Sequence, residues 1–252
     1  MKTKYIFLSV WAVIIAFTMT SCDGFLNQPP YDDFTDEEYW QNEDQARTYM
    51  YGFYTSIFSG YGTGTSHGPF LMGQTLNDDF ASDVEQQDLT PLVVPEADGS
   101  WSFSNIRKAN YVLESVDRMD ASAAAKNHWR GVARFFRACY YSNLVFRYGD
   151  VPWYDRMPKI SDKKEDLDYL YKNRDPRAYV DSCIMADFQY AMDSVRENDG
   201  PLQVNRYVVA AMASRFMLRE GTFLKYHNID LKMAEKCLTM AKNAAELVMN
   251  SK

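Results

Sequence analysis

Histidine and cysteine are scarce, with three and four copies in 252 residues. His67, His128 and His227 sit in separate segments, and no HExxH, GxSxG or Walker phosphate loop occurs. Zinc-protease, serine-hydrolase and nucleotide-hydrolase chemistries therefore lack their usual carriers. Apart from Cys22, the cysteines are Cys139, Cys183 and Cys237: odd in number, widely spaced, each within a helical pattern. They read as small apolar residues of helices, not as a disulfide framework or a metal site, although one disulfide is open to them in an oxidising compartment. Positive charge is also short. Lysine and arginine total 27 against 34 acids, a net charge of −7. Such a chain is not built to neutralise phosphates, which argues against nucleic-acid binding. Only one long apolar run exists, at the N-terminus.

That run is informative. Lys2 and Lys4 precede an uncharged, mostly apolar stretch from Tyr5 to Met19, followed by Thr20, Ser21 and Cys22. A basic start, an apolar middle and small residues before a cut describe a secretory signal. A cysteine at the cut makes it a lipoprotein signal, residues 1–21, with acyl chains added at Cys22. The run is shorter than the roughly 18 residues a membrane span needs. Several acyl chains hold a protein stably where one does not. The alternative is an ordinary signal with a chance cysteine. Cleavage removes two lysines and no acid, leaving the mature chain more acidic still.

Residues 22–41 come next as an N-terminal leash, without periodicity and with the Pro29-Pro30 pair favouring extended backbone. From there, apolar residues recur at helical steps. Ala46, Met50, Phe53 and Ile57 predict a helix over 43–59. Others are expected at about 101–118, 123–147, 175–196, 205–220 and 231–250. Trp129, Val132, Phe136, Tyr140 and Asn143 share one face of the third. Gly149 and Pro152 end it, and a polar connector covers 159–174. Asp175-Pro176 reads as an N-cap followed by proline at the first helical position. Ala210, Ala211 and Ala213 would let helices approach closely. Between 60 and 100, glycines and prolines punctuate a stretch rich in acids and aromatics, read as a long ordered surface loop. Alternation is confined to 89–95. The expected fold class is all-α, helical hairpins of tetratricopeptide-like type with a long irregular loop insertion. The last stripe, Leu231 to Val248, ends at Lys252 with no closing element after it, which reads as the N-terminal portion of a longer protein.

Several segments together resemble one family. Cys22-Asp23-Gly24-Phe25-Leu26 with Pro29 looks like the mature start of SusD/RagB outer-membrane lipoproteins. Trp101, Ile106 and Ala109-Asn110 look like its Trp-helix. Residues 131–138 (GVARFFRA), then Tyr140-Tyr141, Leu144 and Tyr148-Gly149-Asp150-Val151-Pro152, resemble its most recognisable stretch. Asp187-Phe188 with Ala191, and Ala210-Ala211 to Leu218, match more loosely. Val132 departs where Glu is frequent, and Asn105 where an aromatic is usual. Members are generally about twice this length. The resemblance implies a tetratricopeptide-containing SusD-like helical domain over 42–252. It also implies a surface-exposed lipoprotein of the outer membrane. Such a protein captures oligosaccharides, polysaccharide fragments or sometimes peptides for a SusC-like TonB-dependent transporter. Neither catalysis nor a cofactor is expected.

Sugar binding needs flat aromatic faces for the C–H side of a ring and amides or carboxylates for its hydroxyls. The 60–100 stretch supplies Tyr61, Phe70, Asn77, Asp78, Asp79, Phe80 and Asp83, and Trp101 stands at its end. Trp101 reads either as a sugar platform or as a packing anchor at a helix start. Arg130, Arg134 and Arg137 share a helical face and read as an anion site or as ion-pair partners of a neighbouring acidic helix. Asp78-Asp79 is a carboxylate pair a glycosidase reading could use, although adjacent acids in a Gly-rich loop are ordinarily a solvated turn. No metal site is expected. Three functions fit, in descending order: glycan capture, a scaffold for envelope proteins, and a surface glycoside hydrolase.

Overall fold

The helices start where the sequence supplies caps. Asn42 accepts from the Gln45 amide, and the Gln45 side chain accepts from the Asn42 amide, a capping box that opens α1, Glu43–Ile57. Ser122 accepts from the Ala125 amide at the head of α3, Ala123–Tyr148. The Asn205 side chain accepts two amides at the start of α6, Arg206–Tyr226, and Asp230 caps α7, Leu231–Met249. Each such cap contributes about 1 kcal/mol. The computed structural model describes residues 39–58, 100–159 and 161–251. The chain divides into two units, Met1–Tyr39 and Trp40–Lys252, and the described helices belong to the second. Residues 1–38, which include the signal, Cys22 and most of the leash, and the 59–99 stretch with its alternating 89–95 segment lie outside the described residues.

Three further helices complete the set: α2, Ser104–Ser115, extended by a 3-10 turn at Val116–Arg118; α4, Lys164–Leu170; and α5, Arg177–Ser194. The architecture is all-α, stacked helical hairpins of tetratricopeptide-like type, with one isolated bridge, Val151 to Asp175, among the described residues. The long central helix α3 packs against α5, α2 and α1, and α7 packs chiefly on α6. Phe53, Phe135, Phe136 and Phe188 are fully buried. Phe53 stacks on Phe136 at 5.2 Å between centroids and Phe188 on Phe216 at 6.2 Å, so one aromatic seam runs from α1 through α3 and α5 to α6. Each such side chain contributes about 1.5–3 kcal/mol of burial.

The expected boundaries change in four places. The second helix begins at Ser104, not Trp101, and its last turn is 3-10. The connector over 159–174 contains α4, whose one buried residue is Asp166. Asp175 does not cap α5. Its carboxylate accepts the Trp153 amide and pairs with Lys172, and Pro176 takes the cap position. Finally, α6 continues past Glu220 to Tyr226, because Gly221 is not a stop. A Cβ there would lie 2.8 Å from Leu238 Cγ, so the glycine sets the approach of α7. On α3 the expected face turns outward at its end, with Tyr140 half-buried and Asn143 exposed. Ala210 and Ala213 are buried as expected, whereas Ala211 is exposed. No helix among the described residues is long and apolar enough to cross a membrane.

Candidate functional site

Most of the residues singled out for ligand contact, Tyr61, Phe70, Asn77, Asp78, Asp79, Phe80 and Asp83, lie outside the described residues, as does Cys22. The two ends of that stretch are placed, however. Phe58 lies against Phe135 and Phe136, and the Ser56 hydroxyl meets that of Tyr140. At the other end, Ser100 lines a depression of about 380 Å³ with Asn143, Phe146 and Tyr148. A second depression, of about 290 Å³, is lined by Ser56, Ile57 and again Asn143, together with Arg215 and Arg219 of α6. The 59–99 stretch therefore leaves and rejoins the fold on either side of one exposed asparagine near the C-terminal end of α3.

Trp101 stands at this edge. Its ring meets Tyr148 edge-on at 4.9 Å and Phe103 at 5.3 Å, with the Arg174 guanidinium 4.8 Å from its centroid, and 38% of the residue stays exposed. It is thus anchored by packing while still presenting aromatic surface. Phe146 is 52% exposed, with the Arg219 guanidinium 4.1 Å from its centroid. Tyr148, Phe146 and Asn143 line the first depression and Trp101 packs edge-on against Tyr148, so aromatic rings and one carboxamide make a shelf at this edge. Apolar faces with a few placed polar groups are the ordinary make-up of a small-ligand site. Sequence reasoning does not single out Phe146 or Arg219. The available signal is the Arg215/Arg219 pair at i, i+4, which puts both on one helix face.

The arginine trio of α3 is engaged internally. Arg137 is buried and donates to both Asp187 oxygens, at 2.7 and 2.8 Å, to the Asn110 side chain at 2.7 Å and to the Asp155 carbonyl at 3.1 Å. Arg134 lies 3.8 Å from Asp187 and over the Tyr190 ring, and Arg130 pairs with Asp117. The ion-pairing reading holds, with partners on two elements instead of one. Around Arg137, Asn110 donates to the carbonyls of Tyr154 and Arg156, and the Tyr141 hydroxyl accepts from the Tyr154 amide at 2.6 Å. These groups fasten the 151–156 connection onto α2 and α3.

Cys139 and Cys237 are buried, Cys183 is half-buried, and all three are free. Burial raises the Cys139 thiol well above its usual range. Among the described residues no three His, Cys, Asp or Glu side chains are grouped to hold a metal.

Residues 76–218, more than half of the chain, match the SusD-like family described as starch-binding and associating with the outer membrane. The chain belongs to the SusD-like family. Its relatives include a SusD-like protein of Formosa agariphila, 22% identical over 227 residues that cover 82% of this chain and 42% of that protein. A solved SusD-like protein from Bacteroides fragilis superposes with a TM-score of 0.57 at 18% identity, over 88% of this chain and 41% of the other. A SusD superfamily protein from Parabacteroides distasonis gives 0.57 at 19% identity, over 87% and 46%. The chain spans less than half the length of these SusD-like relatives. The 131–152 stretch that carries the family resemblance is the one that supplies Arg137 and Tyr141, so here it serves the fold: it holds the connection behind the shelf.

Proposed function

We propose that this protein is a non-catalytic, saccharide-binding lipoprotein of the outer membrane. Residues 1–21 act as the signal, acyl chains on Cys22 provide the anchor, 22–41 form the leash, and 42–252 are the SusD-like helical domain. It captures oligosaccharides at the cell surface and passes them to a SusC-like TonB-dependent transporter. The observation that carries this reading is the family match over 76–218, since its description joins starch binding to the outer membrane. The shelf of Trp101, Tyr148, Phe146 and Asn143 supports it, because it offers flat rings and an amide where the aromatic- and acid-rich 59–99 stretch is rooted. Tyr61, Phe70, Asn77, Asp78, Asp79, Phe80 and Asp83 on that stretch complete the proposed contact set with Trp101.

Affinity electrophoresis of the chain from residue 23 onward, through gels carrying starch or other polysaccharides, tests this. Retardation by a glycan, reduced in Trp101→Ala and without release of reducing ends, is the expected result. Free migration through every glycan gel would remove the reading and leave a protein scaffold. Released reducing ends that vanish in Asp78→Asn would instead establish a hydrolase.

A further inference from the structure

We propose that the depression between α3 and α6 binds an anionic group, a carboxylate or a sulfate ester carried on a saccharide, between Arg215 and Arg219. This rests on the saccharide-binding reading above and narrows its ligand to acidic glycans. Arg219 is half-buried and donates from Nη2 to the Ser142 carbonyl at 2.8 Å, while its Nε is buried without a hydrogen-bond partner. Among the described residues no carboxylate lies within ion-pair distance of Arg219 or Arg215. The adjacent acid, Glu220, gives both its oxygens to Arg177. The more deeply placed Arg137 and Arg177, by contrast, each meet a carboxylate.

The charge imbalance is real in physical terms. Burial lowers the Arg219 pKa, Arg215 and Arg177 lower it further, and Glu220 alone opposes them. Two arginines at i, i+4 repel each other along one helix face. Arg219 is partly compensated by Glu220 and by the Ser142 carbonyl, whereas Arg215 meets no carboxylate among the described residues, and a bound anion would supply one to both. The Phe146 and Phe216 rings, 4.1 and 5.0 Å from the Arg219 guanidinium carbon, hold it in place before a ligand arrives. A guanidinium fork matches the two oxygens of a carboxylate or sulfate better than an ammonium would. Asn143 is exposed on the same depression, its side chain has no hydrogen bond to another described residue, and it is placed for a sugar hydroxyl. The volume of about 290 Å³ stands at the small end of ligand pockets, which run from about 300 to 1,000 Å³. It therefore fits one sugar residue of a longer chain. The net charge of −7 does not oppose this strongly, because charges more than about 10 Å apart are largely screened at 0.1 M salt.

The test compares the parent chain with Arg215→Gln, an exposed position, and Arg219→Ala. Titrations use polygalacturonate, a sulfated galactan and neutral amylose in physiological salt. The expected result is binding to an acidic polymer that falls at least tenfold in Arg219→Ala and severalfold in Arg215→Gln, with any amylose binding unchanged. The two acidic arms show whether the anion is carboxylate or sulfate. Equal binding by parent and Arg215→Gln, or a preference for amylose, overturns the inference and leaves saccharide binding standing. If no polymer binds, the saccharide reading falls, and titration with free galacturonate and sodium sulfate followed by NMR decides the anion site. Shifts at Arg219 that disappear in Arg215→Gln would sustain it, and no shift would overturn it.

Discussion

Two aspartates six residues apart on α5 face opposite situations. Asp187 looks toward α3 and receives both arms of Arg137, which also holds Asn110 and the Asp155 carbonyl. Asp181 looks toward α6 and α7, is fully buried, and neither of its oxygens has a hydrogen-bond donor among the described residues. Its neighbour Glu220 already occupies Arg177. One junction has an arginine for its acid, and the other has two acids for one arginine. The α3 side can be closed by charge pairing alone. On the α6 side a proton on Asp181 relieves the surplus of negative charge. Burial, with Glu220 beside it, pushes Asp181 up to about 8 against the pull of Arg177. The Cys237 thiol of α7, at the same junction, is pushed up to about 12, chiefly by burial.

Breaking the satisfied junction has the largest expected effect. Arg137→Ala leaves buried Asp187 with only Arg134, at 3.8 Å, and Asn110 without its donor, while the 151–156 connection loses one of its ties. Removing one member of a buried ion pair costs about 3–5 kcal/mol. Urea unfolding should show a loss of that size, partly recovered when Asp187→Asn is added. A loss below 1 kcal/mol would mean that the junction is not held by the pair.

The unsatisfied junction is probed by pH. Asp181 binds its proton more tightly folded than unfolded, where its pKa is near 3.9. Folding stability contributed by this group is therefore fully present below about pH 4. It falls as pH rises toward 8, with a slope of at most about 1.4 kcal/mol per unit, and is lost above that. Between pH 5 and 7 this amounts to about 2–3 kcal/mol. Asp181→Asn cannot ionise, and its amide can donate to Glu220, so it should flatten the slope and be more stable than the parent at pH 8. Parallel stability profiles for parent and variant would refute a raised Asp181 pKa.

Much of this is legible in the sequence, and the failures have physical causes. The apolar stripes of α1, α3 and α5 place those helices within a turn, because each buries most of that face. Helix α7 is placed within a turn although its buried face is Met233, Ala234, Cys237, Met240, Ala241 and Ala244, with Leu231 of the expected stripe exposed. Helix α4 escapes a pattern search because it buries only Asp166 and so carries no stripe. Gly221 looks like a helix stop, since glycine usually marks one, but here the missing side chain serves contact with α7. Asp175 looks like a cap because its position before proline suits one, and a tertiary demand, the Trp153 amide, takes it instead. The candidate site is legible only at Trp101. Arg219 and Phe146 become neighbours by the packing of α6 on α3, which no local spacing reveals. Nor does spacing show that Arg215 and Arg219 meet no carboxylate among the described residues, since that depends on how the helices pack.

Each of the two junctions also contains one glycine at its tightest approach, and these give the smallest expected effects. A Cβ on Gly131 of α3 would lie 2.7 Å from Val195 Cγ2, with the Val195 backbone nitrogen at 3.4 Å. On Gly221 of α6 it would lie 2.8 Å from Leu238 Cγ and 3.1 Å from the Ala234 carbonyl oxygen. Alanine gains about 1 kcal/mol of helix propensity over glycine at either place. Overpacking costs about 1–3 kcal/mol and works against that gain. Val195 comes just after the end of α5, in extended backbone that no continuing helix fixes, so it can shift more easily than a residue within a helix. Ala234 is inside α7, so its carbonyl moves only if the whole helix does. Gly131→Ala is accordingly expected to fall within about 1 kcal/mol of the parent, and Gly221→Ala to lose about 1–2 kcal/mol. The Gly221→Ala loss should also carry a changed pH slope, because displacing α7 opens the Asp181–Glu220 pair to water and lets its proton go. If Gly221→Ala kept the parental slope, the pair would be sealed by α5 and α6 alone, and α7 would play no part in the difference between the two junctions.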